Sequence, residues 1–154
     1  MQQEPLVLLV EDDPQAREGY AEFLERGGFR VAQAGTAEDA LSISLAVVPD
    51  VVVTDIALPG RDGFALAADL QDESRTKDVP VVAMTAYWAT DVHERADRVG
   101  ITAILLKPCQ PEHLIAELQR VLQRTRYPQL GDQTPSTMTP SNGRSRATEA
   151  KSYF

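Results

Sequence analysis

The sequence predicts an α/β fold: a doubly wound domain in which a five-stranded parallel sheet lies between two layers of helices. Three observations carry that prediction. LVLLV (6–10), FRVAQA (29–34), VVVTD (51–55), VPVVAMT (79–85) and AILLK (103–107) are short, apolar and largely aliphatic or β-branched. A strand with one wet face would alternate apolar and polar residues, so such runs read as strands buried on both faces. The segments between them place apolar residues at helical spacing, and β and α alternate five times. Parallel strands joined by helices need right-handed crossovers, which put helices on both faces of an open sheet.

Each element has its own local signals. After the first strand, Asp13-Pro14 is an ordinary helix start, a capping carboxylate followed by proline at the first helical position. Ala16, Tyr20, Phe23 and Leu24 then form one apolar stripe, which Gly27-Gly28 closes. The second helix carries Ala37, Ala40, Leu41, Ser44 and Leu45 and stops at Pro49-Asp50. The third is marked by Phe64, Ala67 and Ala68, and the fourth by Val92, Ala96 and Val99 before Gly100. The last opens at Pro111 and carries Leu114, Ile115, Leu118, Val121 and Leu122.

Composition limits what such a fold can do. The 154 residues are 43% hydrophobic, enough for one domain with a sizeable core. The formal net charge is −8; residues 1–127 hold 12 basic and 21 acidic side chains, net −9, so the folded part would be repelled by a phosphate backbone. Direct nucleic-acid binding is not expected. No apolar run reaches the length of a membrane span and the N-terminus lacks a basic leader, so no membrane contact and a cytoplasmic location are expected. The single cysteine, Cys109, excludes an intrachain disulfide. Residues 128–154 are rich in Pro, Ser and Thr with few apolar side chains, and read as a disordered tail after a domain at 1–127.

In an open parallel sheet the ligand site lies beyond the carboxyl ends of the strands. Asp12 and Asp13 follow the first strand, Asp55 ends the third, Thr85 the fourth and Lys107 the fifth. If the first and third strands are neighbours, Asp12, Asp13 and Asp55 converge. Carboxylates that close raise one another's pKa values unless a cation sits among them, and an all-oxygen set suits Mg²⁺. An aspartate can attack phosphorus, and the transferred group then needs cations and donors around its oxygens, here the metal, the Lys107 ammonium and the Thr85 hydroxyl.

VEDD after the first strand, VVVTDIALPGRDG around the third, AMTA ending the fourth and LLKP ending the fifth resemble the receiver domain of two-component response regulators. The resemblance runs from residue 6 to about residue 124, and four motifs in this order are far more specific than any one of them. It implies the strand order 2-1-3-4-5 of flavodoxin-like receivers. It further implies that Asp55 accepts the phosphoryl group and that Asp12, Asp13, Asp55 and the Ala57 carbonyl hold Mg²⁺. By the same resemblance Lys107 contacts the phosphoryl group, Thr85 is the switch hydroxyl and the Lys107-Pro108 bond is cis. Glu11 is read as shaping the acidic field. The partners implied are a histidine kinase or histidine phosphotransfer protein and a downstream protein, with homodimerisation left open.

Several positions depart from the family's commonest pattern. Ile104 stands where an aromatic switch residue is frequent, Cys109 where phenylalanine is, and Ala57 and Tyr87 occupy positions that influence phosphoryl lifetime. Tyr87 and Trp88 form either a partner surface or a packing contact with the fourth helix, and His93 and His113 read as surface residues. The expected function is a single-domain response regulator, not an enzyme beyond self-catalysed phosphotransfer and autodephosphorylation, signalling through its protein-binding surface. The alternatives are a receiver-like binding module independent of phosphorylation and an aspartyl-phosphate phosphatase, the latter disfavoured by Ala57 where a second aspartate belongs. A dinucleotide-binding domain would need a glycine-rich turn where VEDDPQ stands.

Overall fold

The computed structural model describes residues 3–126. Five strands, β1 (Leu6–Val10), β2 (Arg30–Ala34), β3 (Val51–Asp55), β4 (Val81–Thr85) and β5 (Ala103–Leu106), alternate with five helices, α1 (Pro14–Arg26), α2 (Ala37–Val47), α3 (Gly63–Asp72), α4 (Thr90–Arg98) and α5 (Pro111–Arg126). The sheet is parallel throughout, in the order β2-β1-β3-β4-β5. The tail assigned to residues 128–154 lies outside the described residues, as does Tyr127.

Strand alternation sorts the core into two layers. Val7, Leu9, Val51, Val53, Val82, Met84, Ala103 and Leu105 pack against Ala21 and Leu24 of α1 and Leu114, Leu118 and Val121 of α5. Leu8, Val10, Val52, Val81, Ala83 and Ile104 face the other way, onto Ala37 and Ala40 of α2, Phe64, Leu66 and Ala67 of α3 and Val92 and Ala96 of α4. The interior strands β1, β3 and β4 are buried along nearly their whole length. The edge strand β2 departs from the expectation of burial on both faces: Arg30 and Gln33 are exposed and Val31 and Ala32 half-buried, because it pairs on one side only and lies near the rim of both helix layers.

Local chemistry sets the helix ends. Asp13, Thr36 and Asp62 cap α1, α2 and α3 by accepting from Gln15 N, Asp39 N and Ala65 N. Gly63 allows α3 to start against the end of β3, since a Cβ there would lie 2.6 Å from the Asp55 carbonyl oxygen and 2.9 Å from Ile56 Cα. Among the described residues, no helix is long and apolar enough to cross a membrane.

Candidate functional site

The site grows out of strand alternation at the carboxyl edge. Glu11 continues β1 by one residue, its amide bonding the Ala34 carbonyl at 3.0 Å, and Lys107 continues β5 through a 2.7 Å bond to the Thr85 carbonyl. A period of two therefore puts Glu11 on the face of Val7 and Leu9, Asp55 on that of Val51 and Val53, and Lys107 on that of Ala103 and Leu105. All three look toward the α1/α5 layer. The Lys107 ammonium donates to Asp55 Oδ2 at 2.8 Å and to Glu11 Oε1 at 2.9 Å, joining the ends of three strands.

Glu11 and Asp55 are 2% and 6% exposed, so this ion triad is largely shielded from water. Burial by itself lowers the Lys107 pKa, but the hydrogen bonds to Asp55 and Glu11 and the charges of both carboxylates outweigh it and raise it above the usual lysine range. Lys107 is therefore cationic at neutral pH. The Asp55 carboxylate is engaged at both oxygens, Oδ1 accepting from the Ala57 amide at 3.2 Å.

The acids group differently from the sequence expectation. Carboxylate oxygens of Glu11, Asp12 and Asp55 lie within 4.8 Å of one another. Asp13 stands outside that group: its Oδ1 caps α1 through Gln15 N, and its own amide donates to Glu11 Oε2 at 3.1 Å. Three carboxylates against one ammonium leave two negative charges uncompensated, and the donors are hard oxygens, one of them on the exposed Asp12. That set fits a divalent cation such as Mg²⁺, which keeps several waters of its own.

Thr85 ends β4 on the opposite face and is 6% exposed. Its Oγ1 donates to the Tyr87 carbonyl at 3.0 Å and accepts from the Tyr87 amide at 3.1 Å, so the hydroxyl closes a local turn instead of reaching Asp55. Beyond that turn Tyr87 is 70% exposed, while the Trp88 ring tilts onto His93 of α4 with centroids 5.5 Å apart. Packing onto α4 thus accounts for Trp88, and His93 is half-buried rather than on the surface as expected; His113 is exposed. Ile104 is 2% exposed in the α2–α4 layer, the Lys107-Pro108 bond is cis, and Cys109 is half-buried.

Sequence reasoning ranked Glu11 below Asp13, and the signal that reverses the order was present: counting by two from Val7 and Leu9 lands on Glu11. It also treated Tyr20 only as part of an apolar stripe and passed over Arg17. In the structure Arg17 Nη1 donates to the Glu11 carbonyl at 2.7 Å, and the Tyr20 hydroxyl donates to the Cys109 carbonyl at 3.3 Å.

Comparison with known proteins identifies the family of the domain. A family model described as the response regulator receiver domain matches residues 7–119. The phosphate regulon transcriptional regulatory protein PhoB of Pseudomonas aeruginosa is 33% identical over 119 residues, which are 77% of this chain and 52% of that protein. The chain thus spans about half the length of curated relatives of that kind. Among solved structures, the chemotaxis protein CheY4 of Vibrio cholerae has a TM-score of 0.74 at 29% identity, covering 77% of this chain and 98% of its own. The non-phosphorylated HemR receiver domain of Leptospira biflexa has a TM-score of 0.70 at 32% identity, covering 77% and 94%. With its sheet order, its acidic corner and these matches in agreement, the chain belongs to the response regulator receiver domain family.

Proposed function

We propose that this receiver accepts a phosphoryl group on Asp55 from a histidine kinase or histidine phosphotransfer protein, and that a partner protein reads the resulting change at the β4–α4 surface. The observation that carries this reading is the position of Asp55: a shielded carboxylate held by Lys107 at 2.8 Å, with carboxylate oxygens of Glu11 and Asp12 within 4.8 Å of its own. Glu11, Asp12 and Asp55 would hold Mg²⁺, with the Ala57 carbonyl a further oxygen beside them. Bound there, the ion would offset the negative charge of an arriving phosphoryl group.

The chain's own groups do the rest. An Asp55 carboxylate oxygen attacks phosphorus, the P–N bond to the donor imidazole breaks, and the electron pair leaves with the ring nitrogen, which is then protonated. Lys107 stays charged and donates to the new anionic oxygens. For Thr85 to donate as well, its hydroxyl leaves the bonds to Tyr87, which frees the 86–88 segment and, through Trp88 and His93, shifts the start of α4. The chain in this reading is an acceptor with its own phosphotransfer machinery, not an enzyme acting on a separate substrate.

The test is intact-mass measurement after incubation with a small-molecule phosphodonor and Mg²⁺. The parent is expected to gain one phosphoryl group, and Asp55→Asn to gain none. An unmodified parent, under conditions that phosphorylate a control receiver, would overturn the proposal.

A further inference from the structure

We propose that α1 braces the site at two points, with Arg17 and Tyr20 as positioning residues that set how far the Lys107 loop stands from the carboxylate loop. This rests on the reading of Asp55 as the acceptor. The residues are three apart on one helix and share a face. Arg17 Nη1 donates to the Glu11 carbonyl at 2.7 Å, and its Nε to Gln33 Oε1 at 3.3 Å. The guanidinium lies over Gly35, where even a methyl group would come within 3.1 Å of Nη1, so the side chain has a shaped seat between the β1–α1 and β2–α2 loops. One turn on, the Tyr20 hydroxyl donates to the carbonyl of Cys109, two residues after Lys107.

The consequence is geometric. Arg17 holds the strand of acids by its backbone, Tyr20 holds the strand of the cation by its backbone, and α1 fixes the span between them. Lys107 meets Glu11 and Asp55 at their carboxylates, whereas Arg17 and Tyr20 hold only backbone carbonyls and leave those carboxylate oxygens to the cation and to loop amides. Burial is the largest influence on the Tyr20 phenol and pushes its pKa up. At 3.3 Å the Tyr20 bond is long for a hydroxyl donor, so its effect is modest.

Two full-length variants separate the points. Tyr20→Phe keeps the ring and removes the hydroxyl. It is expected to let the Lys107 ammonium protons, followed by NMR, exchange several-fold faster with solvent. It should also slow phosphorylation at saturating Mg²⁺ about threefold to tenfold, the worth of one modest hydrogen bond, with the half-saturating Mg²⁺ unchanged. Arg17→Lys keeps the charge but not the planar fork, and is expected to raise the half-saturating Mg²⁺ by about the same factor with the maximal rate retained. A purely structural role would give losses that follow the melting temperature and show no such split, and that result overturns the brace. Should the parent take up no phosphoryl group, the reading of Asp55 fails, yet the NMR comparison still decides: faster Lys107 exchange in Tyr20→Phe supports the brace and equal exchange overturns it.

Discussion

The two faces of the sheet finish differently at its carboxyl edge. On the α1/α5 face the side chains of Glu11, Asp55 and Lys107 bond across strands, joining residues 96 and 52 positions apart in sequence. On the α2–α4 face the Thr85 hydroxyl, among the described residues, bonds only to Tyr87, two residues on, and Ile104 is apolar and buried. Long-range charged bonds hold their partners only while the whole sheet is formed, so the charged face is fixed by the fold. A local turn can open without disturbing the sheet, so the hydroxyl face is the one free to move.

The largest contrast should come from removing the cation. In the proposed reading Lys107→Ala takes away a donor to the incoming phosphoryl oxygens, and it is expected to slow phosphorylation about 10²–10³-fold, measured by intact mass against time. Thr85→Ala, on the other face, should change that rate by less than about tenfold, since its hydroxyl makes no resting bond to Asp55. Equal losses in the two would erase the distinction between faces. The pH dependence sharpens it. Because the folded-state pKa of Lys107 is raised, its stabilisation is fully present below the unfolded lysine value of about 10.4 and is lost as pH climbs through the higher folded value. Melting curves between about pH 6 and 9 should therefore show no difference in slope between parent and Lys107→Gln.

Gly63 ties the charged residue to the opposite layer. Gly63→Ala would drive a methyl group against the Asp55 backbone oxygen at 2.6 Å, a contact with main chain that cannot rotate away. A loss of about 2–3 kcal/mol, or a melting temperature lower by roughly 10 °C, is expected.

Legibility followed the same division. Strands β1, β3 and β5 announce themselves because apolar runs and buried parallel strands have one cause, and their observed starts fall where those runs begin. The edge position of β2 is implied by the order 2-1-3-4-5, and its wet face is signalled by Arg30 and Gln33, but a run with mostly apolar letters reads as buried on both faces. At the site, the order of acids, threonine and lysine along the chain was enough to gather one edge. The choice among Glu11, Asp12 and Asp13 needed the alternation of side chains, which assigns Glu11 inward and leaves Asp13 to the helix. Arg17 and Tyr20 act through backbone carbonyls brought near by folding, and no local pattern reports that.

Ile104 tests whether the hydroxyl face has room for the aromatic found at this position in the resemblance. Packed at 2% exposure against the α2–α4 layer, it leaves no path for a larger ring to sit inward. Ile104→Phe is expected to cost about 1–2 kcal/mol in denaturant melts, as overpacking does. A neutral outcome would mean that the ring turns outward, and a switch by rotamer would then be open to this chain.

The smallest effect belongs to Ser44, and it bears on why Thr85 is special. Ser44 is 0% exposed on α2, and among the described residues its hydroxyl has no hydrogen-bond partner. Both residues put a hydroxyl into the same layer, but Thr85 satisfies its own while Ser44 carries the full cost of desolvation. Removing an unpaired buried hydroxyl recovers that cost, and loses little volume, so Ser44→Ala should leave stability within about 0.5 kcal/mol or raise it slightly. Thr85→Ala, by contrast, should lose about 1 kcal/mol because it deletes two made bonds. If Ser44→Ala proves as costly as Thr85→Ala, the Ser44 hydroxyl is itself bonded in solution, and self-satisfaction no longer distinguishes Thr85 from Ser44.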